Sequence, residues 1–597
     1  MEDAVRYQYL PLAKDNNDGS TRLLQLLPGA TGEPIKGSIV NVNLCDNPGY
    51  EALSYCWGDT ANTIRIYIGK EYIDVTRNLH DALVKLRDKE DPRTLWIDAI
   101  CINQYNVLER SQQVGIMGQI YKQAKKTLVW LGLETANTAR AFELIPYLLA
   151  IFEEAFQGKP RPVRLDLRIL RHPSILRVYE QVRLFEPFIQ LEQRPYFSRI
   201  WIIQEIALSS NSVSLFWGQY CLSWEEYFAA AYTFACLEVR KANLHQPLGA
   251  FPALVMAVLQ LRASKSTSLI SLLDQYRRKD STDPRDKVFA LLGIAGSKDI
   301  LSLSCKVDYN MTVVEVYTNL ASSYIQRDDN LDILSYTQCG PSIPCLPSWV
   351  PDWTSREDMP INFRVPNCSG IRFDHHAGSD SGCGTSIYVN GKTLTSQGVL
   401  LDQITRTSGL IDKAWGIGCC NAHAWETIAE LKERGSYVAG GTAMDAFFMT
   451  QLAGCPKLQY DIMKGRFQEL WEEAKKHTPK KTIQGSLTVS TAEGSQLQRV
   501  NLIPIDDRET GEIEALLSSS LQYTKRRRFA MTSRGYYGLV PAKATPGDQI
   551  AILKGANYPF VLRAQGQSWK LVGECYVHGV MNGEAFDATA CEEVLID

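Results

Sequence analysis

The residue best placed to do chemistry is Glu205, within RIWIIQEIAL (199–208). Ile200, Trp201, Ile202, Ile203, Ile206 and Ala207 surround it, so a helix over this stretch has little polar face to offer a carboxylate. A desolvated acid is costly unless it is paired or protonated, and its pKa rises. Such acids are enriched at active sites, where a carboxyl group near neutrality can exchange a proton or face a developing positive charge. The structural reading stands beside this one: an ion pair with Arg199 or Arg110 holds Glu205 without any chemistry.

A second cluster lies in LWIDAICINQYNVLER (95–110). Asp98 and Asn103 fall just beyond an apolar strand, where Asp and Asn either satisfy turn donors or meet a ligand. Glu109, three residues after Asn106, completes the form of a capping box. Arg110 has no such duty, and an arginine at the mouth of an α/β sheet can hold phosphate or a buried acid. In YEALSYCWG (50–58), Trp57 offers a flat face for a base or nicotinamide, and Gly58 permits close backbone approach. Trp57 reads equally well as core.

Other chemistries have no residues to carry them. The eight histidines form no metal set; His375 and His376 are adjacent, and no H-E-x-x-H occurs. Neither the phosphate-binding G-x-x-x-x-G-K-[ST] nor the serine-hydrolase G-x-S-x-G is found. No metal and no resident cofactor is expected.

The elements that must position these groups alternate between strand and helix from Tyr50 to Gly132. YEALSYCWG is an apolar strand, and TIRIYIG with EYIDVT reads as a hairpin. Thr76 or Asn78 caps a helix in which Leu79, Leu83 and Leu86 make one stripe. TLWIDAI is the next strand. Val114, Met117, Ile120, Tyr121 and Ala124 trace the following helix, and TLVWLG (127–132) is the third main strand. Strands separated by such helices predict parallel pairing, with ligands beyond the carboxyl ends of the strands.

Farther on, Ser198 is placed to cap the Glu205 helix. STDPRDKVFALLGIA (281–295) predicts a helix capped by Asp283, with Pro284 first, Asp286 as a capping acid and Gly293 as its stop. LPSWVPDW (346–353) is too proline-rich for a helix and reads as a boundary. GTSIYVNGKTLTSQGVLL alternates as a strand, and RFQELWEEAKK is an amphipathic helix. The last 80 or so residues set short strands between Gly and Pro turns, as in a small β-barrel.

At 597 residues the chain is long enough for several domains. Hydrophobic residues at 45% and charged residues at 22% describe a globular chain, not a fibrous or disordered one. A net charge of -3 gives no global pull toward nucleic acid, and the basic runs KKHTPKK (475–481) and KRRR (525–528) read as solvated faces. Fifteen cysteines with no C-x-x-C pair indicate a reducing compartment. The longest apolar run, FPALVMAVLQL (251–261), is too short to span a bilayer, and the N-terminus lacks a secretory h-region. A cytoplasmic location is expected.

YEALSYCWG, residues 95–132 and RPYFSRIWIIQEIAL (194–208) together resemble the heterokaryon-incompatibility (HET) domain of filamentous fungi. STDPRDKVFALLGIA, LPSWVPDW and the segment from GDQIAILKGANYPFVLR to VHGVMNG resemble segments that accompany it. The resemblance implies five parts: an N-terminal extension (1–49), a HET domain (50–210) with a helical insertion (133–193), a helical domain (211–353), a mixed α/β region (354–515) and a C-terminal β-rich module (516–597). It implies a role in nonself recognition, in which fusion of incompatible cells triggers growth arrest and death. HET domains are remote relatives of TIR domains, which implies a flavodoxin-like α/β fold with a parallel sheet. On that comparison Glu205 falls on the acid with which TIR enzymes cleave NAD. Trp57 or Trp201 would then stack on the nicotinamide, while Ser54, Asp98, Asn103 and Arg110 line ribose and phosphates. An incompatibility partner protein, and self-association on activation, come with the same resemblance. The alternative is a HET domain that serves as a docking surface without catalysis.

Overall fold

The computed structural model describes residues 5–12; 19–156; 190–241 except 192, 210 and 211; 267–355 except 304, 338 and 339; 375–378; 387–410; 425–453 except 432; 483–502 except 492 and 493; and 524–597 except 525. The chain divides into two units, Met1–Thr312 and Val313–Asp597.

The strands of the first unit are β1 (Ser20–Leu26), β2 (Lys36–Asn43), β3 (Glu51–Tyr55), β4 (Thr63–Ile68), β5 (Glu71–Thr76), β6 (Arg93–Trp96), β7 (Lys126–Trp130), β8 (Ser212–Trp217) and β9 (Tyr220–Ser223). They form one sheet in the order β5-β4-β2-β1-β6-β3-β7-β8-β9. The inner four, β6, β3, β7 and β8, are parallel, and in chain order they stand second, first, third, fourth. The chain therefore leaves β3 toward one side and returns across it to the other. In open α/β sheets, ligands sit beyond the carboxyl ends of the strands at such a crossing.

Ala52 to Tyr55 are buried without a break, as expected of a central parallel strand covered on both faces. The period of two then sorts its side chains. Leu53 and Tyr55 join Leu95, Leu128 and Trp130 in a core with Leu79, Ala82, Leu83 and Leu86 of helix α1 (Arg77–Leu86). That helix starts where Thr76 accepts a hydrogen bond from the Leu79 N–H (3.4 Å). Ser54 points to the opposite face. There Trp96 meets Tyr121 edge-on at 5.7 Å; the helices after β6 and β7 are α2 (Asp98–Cys101), which adds Ile100 to the α1-side core, α3 (Val107–Gln123), α4 (Thr138–Phe156), α5 (Pro195–Ser198) and α6 (Trp201–Ala207).

Several expectations are corrected. The sheet is mixed: β1 pairs antiparallel with β2 and β6, β4 with β5, and β8 with β9. Short loops without helices join β1 to β2 and β4 to β5, so the chain doubles back. Residues 20–43, read as part of an extension, supply two of these strands. Their register is locked by Arg22, 1% exposed, which forms a bidentate pair with Glu109 (2.5 and 3.1 Å). TLWIDAI is a strand only to Trp96; Asp98 accepts from the Ala99 N–H (2.7 Å) and turns the chain into α2. Ser198 does not cap α6. It closes the preceding turn by donating to the Pro195 carbonyl (2.9 Å), and the Ile200 N–H finds the Asp280 carbonyl instead (2.9 Å).

The 211–353 stretch is not helical throughout, since β8 and β9 open it. Helices α7 (Trp224–Lys241), α8 (Leu269–Gln275), α9 (Asp286–Leu292) and α10 (Ser297–Leu303) follow. Pro284 lies just before α9, and Asp286 is drawn away from capping by side chains described below. FPALVMAVLQL, RFQELWEEAKK, KKHTPKK and most of the 133–193 insertion lie outside the described residues.

The second unit begins with α11 (Val313–Asp328) and carries β10 (Tyr388–Asn390), β11 (Thr393–Thr407), α12 (Ala443–Gln451), β12 (Ile483–Thr491), β13 (Gly494–Leu502), β14 (Arg527–Thr532), β15 (Tyr537–Pro541), β16 (Gln549–Leu553), β17 (Phe560–Gln565), β18 (Ser568–Glu574), β19 (Tyr576–Val577) and β20 (Glu592–Ile596). Long β11 pairs with β20 through Leu394–Gly398 and with β16 through Gly398–Gln403. The pairing β11-β16-β17-β18-β20 thereby closes on itself, which removes the open edges of those strands. Trp349, Val350 and Trp353 of LPSWVPDW are buried in this unit, so that segment lies inside it. The barrel also starts earlier than residue 516, because β11 is one of its staves.

Candidate functional site

Glu205 sits on α6 with 3% of its surface exposed. The side chain that meets it is Ser54 of β3, whose hydroxyl donates to Glu205 Oε2. Because that proton is committed, Tyr196 of α5 must be the donor in its 2.7 Å contact with Ser54. A buried line Tyr196–Ser54–Glu205 results. Among the described residues, Glu205 Oε1 accepts no hydrogen bond.

Burial lifts the Glu205 carboxyl from its ordinary 4.5 to about 7; Arg199 and the Ser54 hydroxyl pull it down, and Asp98 pushes it further up. Arg199 interacts electrostatically with both acids, and its guanidinium donates to the Tyr55 carbonyl. Burial works against the Arg199 charge, but Glu205 and Asp98 outweigh it and raise its pKa. No described carboxylate comes within ion-pair distance of Arg199, so neither Arg199 nor Arg110 pairs directly with Glu205. Without a direct ion pair to pull it down further, the acid stays near neutrality, able to exist in both protonation states at pH 7.

At the carboxyl ends of the parallel strands, Asp98 accepts from Trp57 Nε1 (2.7 Å) and from the Tyr55 hydroxyl. Burial raises the Asp98 pKa against the opposing pull of Arg199, Trp57 and the Ala99 N–H. The pair fixes the half-exposed Trp57 ring beside the strand exit. Gly58 follows at φ 77° and Gly132, after β7, at φ 97°, both in the left-handed region that glycine alone enters freely. Asn78 bridges these exits: its amide donates to the Cys56 carbonyl (2.6 Å) and its oxygen accepts from Trp130 Nε1 (3.0 Å).

Ser54, Trp57, Gly58 and Asp98 thus gather with Glu205 around the end of β3. The other three candidates stand elsewhere. The Asn103 N–H donates to Glu109 Oε1 (2.8 Å) and its oxygen accepts from the Tyr105 N–H (3.2 Å), both loop duties. Arg110 lies 4.0 Å above the Tyr309 ring, and Trp201 donates to Asp286 Oδ2 (3.1 Å) while Tyr309 donates to Asp286 Oδ1 (2.6 Å). Burial lifts Asp286 to about 6, with the Tyr309 and Trp201 hydrogen bonds opposing. This second network holds α6 from behind. Gln204 helps, donating to the Ala290 carbonyl (2.9 Å) and accepting from the Gly118 N–H (2.8 Å).

Sequence reasoning passed over Tyr196, Asn78 and Arg194. RPYFSR, with two arginines around two aromatics just before the glutamate helix, was the available signal for the first and last. Nothing local marks Asn78, which reads as an alternative cap.

Residues 50–205 match the family model described as heterokaryon incompatibility protein (HET), and residues 495–596 match the Het-6 beta-barrel domain. The chain is similar to heterokaryon incompatibility protein 6, OR allele, of Neurospora crassa: 24% identical, with 98% of this chain and 97% of that one covered. No solved structure matches. Glu205 is the last residue of the first family match. Residues 50–205 therefore carry a HET domain and residues 495–596 a Het-6 beta-barrel domain, and the chain aligned almost end to end is similar to a heterokaryon incompatibility protein.

Proposed function

We propose that the chain acts in fungal nonself recognition, the role its family supports, and that its first unit is an effector that cleaves NAD between nicotinamide and ribose. The observation that carries this reading is Glu205: a carboxyl held near pKa 7, bonded among the described residues to one side-chain hydroxyl and to no cation, under the exit of the strand where the sheet's connections diverge. The second-first-third-fourth order of the parallel strands is that of flavodoxin-like sheets, which supports the TIR-like comparison.

The chemistry asks little of the protein. The C1′–N bond breaks with its electron pair going to the pyridinium nitrogen, so nicotinamide leaves neutral and needs no proton. The ribose is left as an oxocarbenium-like centre, and the ionised Glu205 stabilises that charge. Water then adds at C1′ and loses a proton, giving ADP-ribose. Trp57 supplies a flat face for the nicotinamide, and Ser54 and Asp98 keep the carboxylate and the indole in register.

Incubating the full chain with NAD, dilute and concentrated, and measuring released nicotinamide tests this. Release by the wild type that is lost in Glu205→Gln supports it; absence of release in both at every concentration overturns it. A second reading draws on the 3% exposure of Glu205: the unit docks a death-signalling partner, and the acid is structural. Unaltered partner response in Glu205→Gln would favour that one. Among the described residues no helix is long and apolar enough to cross a membrane. Either reading has the protein act in the cytoplasm, where fused cells mix their contents.

A further inference from the structure

Arg194 stands at the same edge of the sheet, and among the described residues no acid neutralises it. Its guanidinium lies 4.5 Å over the Trp217 ring, and Nη2 donates to the Leu133 carbonyl at 3.4 Å, long for a hydrogen bond. No carboxylate among the described residues is within ion-pair distance. Trp217 Nε1 donates to the same Leu133 carbonyl (3.1 Å), so the ring beneath the guanidinium is fixed. A half-buried cation in this state has lost part of its hydration and received little in return, which an anion would supply.

Two glycines stand beside it. A side chain built on Gly132 would have its Cβ 3.6 Å from Arg194 Nη1 and 3.8 Å from Asn78 Oδ1. One on Gly58 would stand 3.4 Å from Asn78 Cβ. Asn78 therefore connects the two glycines, and the two glycines connect Arg194 to Trp57. Glycine at both strand exits keeps the backbone bare between the cation and the indole.

We propose that Arg194, with the Gly58 and Gly132 backbone, binds the diphosphate of a dinucleotide whose nicotinamide end lies toward Trp57 and Glu205. This rests on the NAD reading and adds to it the residue that holds the phosphates. Arg194 lies on the β7–β8 side of β3 and Asp98 on the β6 side, so the ligand runs across the strand ends.

The experiment uses ADP-ribose, which keeps the diphosphate and lacks nicotinamide, and measures its binding to the full chain by titration calorimetry. Arg194→Gln should bind it more weakly than the wild type by at least about tenfold, the loss of one charge-assisted contact, with Arg194→Lys between the two. Inorganic pyrophosphate should compete with ADP-ribose on the wild-type chain, a readout that needs no variant to fold. Equal affinity in Arg194→Gln, or ADP-ribose binding that pyrophosphate does not disturb, overturns the phosphate site and leaves the Glu205 reading standing. Wild-type chain that releases nicotinamide but binds no ADP-ribose does the same. Wild-type chain that binds ADP-ribose in competition with pyrophosphate but releases no nicotinamide would sink the Glu205 reading and keep the phosphate site.

Discussion

Replacing Glu205 by glutamine should make the protein more stable at pH 8 and leave its stability nearly unchanged at pH 4 or below. Glutamine keeps an oxygen to accept from Ser54 and carries no charge at any pH. The wild-type carboxyl titrates near 7 when folded and near 4.5 when unfolded, so the folded state binds the proton more tightly. Stability then falls as pH rises from about 4.5 to about 7 and is level above that. At about 1.4 kcal/mol per pH unit, the ionised carboxylate costs the folded chain about 3 kcal/mol at pH 8. Arg199 is already included in that balance, since its attraction is what keeps the value from going higher. Urea unfolding of the two full-length proteins at pH 4 and pH 8, followed by tryptophan fluorescence, measures the gap. Equal stability at pH 8 would refute the reasoning. So would a gap that favours the wild type and shrinks toward acid pH, because it would mean that attraction to Arg199 exceeds the burial penalty.

Three further substitutions follow from the same geometry. Ser54→Ala removes the donor to Glu205 and the acceptor for Tyr196; it should destabilise by about 1–3 kcal/mol and raise the Glu205 pKa further, seen as a higher pH limb of any turnover. Arg22→Met leaves Glu109 charged in the interior and should cost about 3–5 kcal/mol in urea unfolding, showing that residues before Tyr50 belong to the fold. Gly132→Ala forces a side chain into φ 97° and should lose about 1–3 kcal/mol, with ADP-ribose affinity falling in step.

Local pattern carried much of this unit. The apolar runs at 50–58 and 127–132 became parallel β3 and β7, because a strand buried on both faces must be apolar throughout. The Leu79–Leu83–Leu86 stripe became α1 for the equally local reason of helical spacing. Glu205 stood out since an acid among isoleucines has no bland surface role. What stayed hidden was long-range. Arg22 reaches Glu109 across 87 positions, and nothing near either residue announces that the segment before Tyr50 joins the sheet. Trp201 and Arg110 looked like ligand contacts until Asp286 and Tyr309, from a later segment, claimed them. Arg194 was passed over because a cation with no acid beside it among the described residues is recognised only once its neighbours are known. In the second unit, turn spacing foretold a barrel, but its earliest stave, β11, precedes the predicted boundary by more than a hundred residues.

The most direct test of the central claim is the pH profile of nicotinamide release from NAD by the full-length wild type. Ionised Glu205 predicts a rate that climbs through a limb near pH 7 and levels off above it, with Glu205→Gln inactive across the range. A rate independent of pH between 5 and 9, or release that persists in Glu205→Gln, would contradict it.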